Sequence, residues 1–126
     1  MNGSSATVLV TDASATAKTF AYRNTGKIGT LTISGGGVSS TVSFDPNGTY
    51  GIMTLGAPKT YSFSTTGTTT ITDRLNATGS AGNIITIQSA ASGTPSVLSK
   101  AGGMVSCDYL SVKDSTATGG ATWFAG

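Results

Sequence analysis

Short stretches in which apolar and polar residues alternate recur along the chain. Clear examples are residues 30–34, 61–64 and 85–88. A period of two is typical of a β-strand with one buried face. Turn-forming Gly, Pro and Asn residues separate these stretches, as in residues 45–48 (Asp-Pro-Asn-Gly) and 92–95 (Ser-Gly-Thr-Pro). No stretch has the 3.6-residue period of an amphipathic helix, so the pattern predicts an all-β protein.

A weak internal repeat favours one all-β architecture over the others. Four apolar residues are spaced 22 residues apart: Leu31, Met53, Leu75 and Val97. A second series has the same spacing: Phe63, Ile85 and Cys107. Repeats of this length are typical of solenoids, whose stacked coils bring equivalent side chains together.

We therefore predict a parallel β-helix of about four to five coils over residues 28–126. Residues 1–27 are predicted to be an N-terminal strand or arm, which is a candidate for partner contact. An antiparallel β-sandwich or jelly roll is the alternative, because short alternating strands look alike in both.

The composition disfavours an enzyme. The chain has 23 Thr, 18 Gly and 17 Ser, but no His, no Glu and one Cys among 126 residues. General acid–base catalysis and metal binding depend on clustered His, Cys or carboxylates, so we expect no catalytic, cofactor or metal site. The net charge is only +2 and the basic residues are dispersed. This distribution does not predict nucleic-acid binding.

Three residues are candidates for chemistry: Asp108, Asp114 and Cys107. Asp108 and Asp114 are near each other in sequence, but an extended strand separates residues six apart by about 20 Å. We interpret both as corner or turn residues. Cys107 alternates with Val105 and Tyr109, which predicts that all three side chains face inward. The alternation of apolar and polar residues changes phase at Leu110, and such a change predicts a bulge or corner in the strand.

The first residues have neither the basic segment nor the apolar segment of a secretory signal. No apolar run approaches the roughly 20 residues of a membrane helix, so we expect no membrane partner. A Thr/Gly-rich, extracellular-looking composition without an export signal is expected of a virion protein, which is displayed outside the cell after lysis. A piece of a secreted protein is the alternative, with an extracellular location.

Several segments resemble Thr/Gly-rich coils of right-handed parallel β-helices. They are residues 59–63, 68–72, 77–87, 92–95, 105–115 and 117–123. Coils of this kind occur in phage structural proteins and in large bacterial surface proteins. The resemblance covers about the C-terminal half of the chain. It implies an architectural role and no catalytic residues.

These expectations lead to one hypothesis of function: a non-enzymatic capsid decoration (cement) protein of a tailed phage, located on the particle surface. Its partners are the major capsid protein or other virion proteins. A tail or fibre component, or a glycan-binding adhesion module of a secreted β-helix protein, is the alternative.

Both ends of a solenoid leave strand edges unpaired, which predicts association, with a homotrimer favoured. Trp123 and Phe124 are the leading candidates for partner contact because aromatic residues dominate interface hot spots. A hydrophobic lid on the last coil is the other interpretation of this pair. Val8, Leu9 and Val10 of the first predicted strand are the second candidate set.

Overall fold

The computed structural model describes residues 7–11, 18–20, 27–34 and 41–126. These residues contain β-strands and no helix. The strands are β1 (Thr7–Thr11), β2 (Lys18–Phe20), β3 (Ile28–Ser34), β4 (Thr41–Phe44), β5 (Thr49–Leu55), β6 (Lys59–Phe63), β7 (Thr68–Ala77), β8 (Ile85–Ser89), β9 (Ser96–Ser99), β10 (Met104–Cys107), β11 (Leu110–Lys113), β12 (Ser115–Thr118) and β13 (Thr122–Ala125). High β-propensity of Thr, Val, Ile and aromatic residues explains why these segments are extended.

Every named strand pair is parallel, and the chain winds between stacked sheets as a β-solenoid. One sheet has six strands in the order β1-β3-β5-β7-β9-β12, and a second has five in the order β11-β8-β6-β4-β2. β10 and β13 form a third, two-stranded sheet. The predicted all-β parallel solenoid is confirmed, and the antiparallel sandwich or jelly roll is wrong for this chain.

The third sheet arises because the long strand β7 serves two columns of strands. Its first residues, Thr68 to Thr70, pair with β9. Its end is continued by Thr78, which forms a parallel bridge with Asp108 directly after β10. β7 also contacts β10. The first half of β7 therefore leads to β9 and β12, whereas the second half leads to β10 and β13.

Inward-facing side chains stack from coil to coil and form the core. The register places Val8 beside Leu31, Leu31 beside Met53, and Met53 beside Leu75. The bridge between Thr78 and Asp108 continues this register to β10, so that Val105 follows Leu75. β10 pairs with β13, which places Trp123 beside Val105. We call this column the inner ladder; its members are Val8, Leu31, Met53, Leu75, Val105 and Trp123.

Aromatic rings fill the other side of the core. The rings of Phe44 and Phe63 stack with centroids 4.6 Å apart and planes 5° from parallel. Tyr50 meets Phe44 edge-on at 6.2 Å. Both geometries suit the ring quadrupole. They hold β4 and β6 in register with the neighbouring coil.

The constant 22-residue period is only partly correct. Leu31, Met53 and Leu75 are stacked as predicted, but Val97 pairs with Thr68 instead. The second predicted series is wrong, because Phe63 pairs with Ser89 and Ile85 pairs with Lys59. The corner loops differ in length from coil to coil. Backbone pairing aligns the strands in space. A longer loop therefore changes the number of residues in a coil without changing how the strands stack.

The N-terminal segment predicted over residues 1–27 contributes the outer strand of both large sheets. β1 pairs with β3, and β2 pairs with β4. The glycine turn at residues 35–37 lies outside the described residues. The turn predicted at residues 45–48 is present, with Asn47 in the left-handed region at a φ of 63°.

Candidate functional site: the open C-terminal end of the solenoid

The last coil leaves three strand edges unpaired among the described residues. β11, β12 and β13 are each the outermost strand of their sheet. Most of their residues are half-exposed or exposed. An outer strand presents unpaired N–H and C=O groups, which readily pair with another strand. The coil therefore offers backbone hydrogen bonds on three sides at once.

An apolar cavity opens between these three edges. Its volume is about 150 Å³. Its walls include Leu75, Cys107, Leu110, Val112, Ala117 and Trp123. A preformed apolar cavity of this size accepts a group as large as a benzene ring. The cavity is thus the open end of the hydrophobic core.

Trp123 lies at the end of the inner ladder. It pairs with Val105, whose side chain is buried, and it packs partly buried against the core. The lid interpretation of Trp123 fits this placement. The indole Nε1 is buried, and no acceptor among the described residues contacts it. A buried donor without an acceptor is destabilising by about 1–3 kcal/mol. A partner that brings an oxygen to this point would remove that cost.

Phe124 has a different environment from its neighbour. It pairs with the exposed Ser106, and 54 % of its own surface is accessible. Val112 lies in register with the buried Ile87, yet 51 % of it is accessible because no described strand lies beyond β11. Inward-facing apolar residues remain accessible at this end because no described strand covers them.

The second candidate set lies at the opposite end of the same ladder. Val8 is partly buried against the core, and Leu9 is 65 % accessible. The side chain of Val10 is outside the described residues. The structure therefore does not bring the two predicted partner-binding sets together within one chain. It places Val8 first and Trp123 last in one inner ladder.

The predicted corner at Leu110 is present, but Tyr109 faces outward. It adopts a left-handed φ of 55° between β10 and β11, and its side chain is exposed. The prediction that Tyr109 faces inward is wrong, because the left-handed residue changes the phase one position earlier than the pattern suggested. Asp114 also turns a corner, at a φ of 46°, and accepts a hydrogen bond from the Gly93 N–H at 3.0 Å.

Cys107 is buried as predicted. Burial raises the pKa of the thiol above its ordinary value; a hydrogen bond to the Ala77 backbone opposes this shift, and the Asp108 carboxylate adds to it. A neutral thiol is a poor nucleophile. Among the described residues there is no cluster of three or more His, Cys, Asp or Glu side chains that could hold a metal ion. Nor does that part of the chain contain a helix with the length and apolar character to cross a membrane.

Sequence reasoning identified Trp123 but missed the other walls of the cavity. Leu110 and Val112 alternate with polar residues, a signal that was available. Ala117 carried no signal, because a small residue at an end position looks like any other alanine.

No family model, curated protein or solved structure matches this chain.

Proposed function

We propose that this chain is a non-enzymatic structural protein of a tailed-phage particle, and that it decorates and stabilises the capsid. The observation that carries the proposal is the open C-terminal end, with its three unpaired edges and its apolar cavity. The resemblance of residues 59–123 to coils of phage structural proteins supports the same assignment.

The mechanism is docking of a shell protein on the open end. An incoming strand pairs with a free edge, and an apolar side chain enters the cavity beside Trp123. Each contact is small, but a shell presents many equivalent sites, and multivalency multiplies weak contacts. The sparse charge of the chain makes this binding only weakly dependent on salt.

Two other functions have specific support. A tail or fibre component would use the same open end to continue a longer assembly. A glycan-binding adhesion module is supported by Tyr109, an exposed aromatic ring at a corner. Asp108 precedes it in the chain. The Tyr109 Cβ lies 3.0 Å from the position that a Cβ on Gly79 would take. Aromatic faces with adjacent polar groups suit sugar rings, but a single ring is a small platform.

Quantitative mass spectrometry of purified particles tests the proposal. A copy number equal to that of the major shell protein, or a fixed simple fraction of it, is expected for decoration. A handful of copies would indicate a tail or fibre component instead. Absence from the particles would overturn the virion assignment and favour the adhesion module.

Adding recombinant chain back to particles that lack it tests the docking surface. Val112→Lys places a charge at the mouth of the cavity and should abolish binding. Ile84→Lys is the matched control, because Ile84 is equally apolar and 49 % accessible but precedes an inner strand. Equal binding of both variants would show that the open end is not the docking surface.

A further inference from the structure

We propose that a second copy of this chain seats its N-terminal end on the C-terminal end of the first. The contact joins the two ends of the inner ladder, and copies stack head to tail. This inference does not rest on the virion assignment, since it follows from the strands at the two ends of the described solenoid. In a stack only the last copy keeps its C-terminal end uncovered, so on a particle that copy would dock on the shell.

Strand direction at the two ends is complementary. β2 and β11 are the opposite edges of the five-stranded sheet, and all of its strands are parallel. β1 is in the same column as β13, connected through β3, β5, the second half of β7 and β10. A second copy in the same orientation therefore places its β1 beside β13 of the first copy, and its β2 beside β11 of the first copy. Both pairings continue a parallel sheet that already exists.

The inner ladder continues across this contact. Val8 of the incoming copy takes the next position after Trp123, just as Trp123 follows Val105. Its branched side chain enters the space beside the indole. The strand that carries it also brings backbone carbonyl oxygens to this end, where the Trp123 Nε1 lacks an acceptor. The contact thus supplies both of the groups that the open end lacks.

The two orientations differ in what meets the cavity. In a tail-to-tail pair, two unfilled cavities would meet. In the head-to-tail orientation, Val8 comes to the end of the inner ladder that carries the cavity.

A contact between different surfaces of identical copies is heterologous, so each bound copy leaves one end free and assembly continues. The homotrimer favoured from the sequence would need a side-by-side contact instead. Exposed parallel edges on opposite faces of the molecule favour the open stack.

Sedimentation velocity on single-end variants and on their mixture tests this orientation. Wild type should sediment faster as concentration rises, beyond the size of a dimer. Val8→Lys blocks the N-terminal end, and Val112→Lys blocks the C-terminal end, so each variant alone should be monomeric. Mixed in equal amounts, they should form a dimer of one copy of each, because each retains one working end. Ile84→Lys is the control and should assemble like wild type.

Two safeguards keep the test decisive. Circular dichroism must show that each variant retains its β-structure. Ala117→Phe provides a second block of the C-terminal end, since it fills the cavity from within the same chain without adding charge. It should be monomeric, and it should form the mixed dimer with Val8→Lys.

Three results would overturn the proposal. Wild type could remain a monomer up to high micromolar concentration. Val8→Lys alone could still dimerise while Val112→Lys could not, which would indicate tail-to-tail pairing. The folded variants could fail to combine when mixed. None of these results depends on whether the chain is found in phage particles, so this inference and the proposed function can fail separately.

Discussion

At the residue scale, the same residue type has a different role depending on its coil. Phe44 lies in an inner coil, is buried and stacks on Phe63. Phe124 lies in the last coil and is largely exposed. The inner ring contributes to folding stability, whereas the outer ring is available for contact. Alternation along a strand predicts which side chains face inward, but not whether a further coil covers them.

Replacing the inner ring should be costly. Phe44→Ala removes the stack with Phe63 and opens a cavity that the surrounding strands cannot close. The free energy of unfolding should fall by about 3–5 kcal/mol, measured by urea denaturation. Arg74→Ala, at an exposed position on β7, is the control and should change it by less than about 0.5 kcal/mol. Similar effects of both changes would contradict the stacked core.

The thiol of Cys107 should be unreactive in the folded protein. Burial keeps it neutral, so labelling by a thiol reagent at pH 8 should be slow and should become rapid in urea. The raised pKa also predicts a pH effect. Above about pH 8.5 the thiol of the unfolded chain ionises, whereas the raised pKa of the folded thiol delays its ionisation to higher pH. Stability contributed by this group is therefore present below that pH and lost as pH rises.

Cys107→Ala isolates this contribution, since it has no thiol to ionise. The wild type should lose more stability between pH 8 and pH 10 than the variant does. Identical pH dependence in both proteins, or rapid labelling of the folded wild type, would contradict the buried neutral thiol.

At the element scale, corners decide how the coils fit together. Several corners use left-handed residues, among them Gly93 between β8 and β9 and Gly119 between β12 and β13. Their surroundings differ. A Cβ on Gly93 would meet nothing within 4 Å, whereas a Cβ on Gly119 would lie 2.1 Å from the Lys100 carbonyl oxygen. The second corner is held by close backbone contact with the preceding coil.

These two glycines form a matched pair of tests. Gly93→Ala places an alanine in the left-handed backbone conformation but creates no steric contact. It should therefore destabilise the protein by about 1–2 kcal/mol. Gly119→Ala has the same conformational cost, and its Cβ would also clash with the Lys100 carbonyl oxygen. That oxygen cannot move aside without a shift of the strand. Its unfolding midpoint in urea should be clearly lower than that of Gly93→Ala. Equal midpoints would indicate that β13 does not pack as described.

At the scale of the whole molecule, the solenoid is nearly one-dimensional. Each coil contacts mainly the coils before and after it, so an end coil has half the neighbours of an inner one. Stability in such proteins is approximately a sum of coil terms and interface terms. The last coil therefore has the least support, and any partner that covers it stabilises the whole chain.

Hydrogen exchange should show this gradient. Backbone amides of β5, β6 and β7 should exchange slowest, and those of β11, β12 and β13 fastest, because end coils open without disturbing the centre. Raising the protein concentration should slow exchange in β1, β2, β11 and β13, because head-to-tail stacking pairs these strands. Uniform protection along the chain, or protection that ignores concentration, would contradict an open end.

The sequence by itself determined the fold class and much of the core. Alternation set which side chains face inward, and the recurrence of Leu31, Met53 and Leu75 indicated stacked coils. These features are local or repeat over one coil, so the sequence alone reveals them. The outward turn of Tyr109 was missed, because its cause is a single left-handed residue at a corner.

Only the tertiary structure decided which coils are neighbours beyond Leu75. Corner loops of unequal length change the number of residues between stacked positions. Backbone pairing, and not sequence spacing, therefore aligns Val105 and Trp123 with the inner ladder. The open cavity also appears only in three dimensions, because Leu75, Leu110, Ala117 and Trp123 belong to four different strands. A residue's exposure at the end of a solenoid depends on whether another coil follows in space, and no pattern along the chain records that.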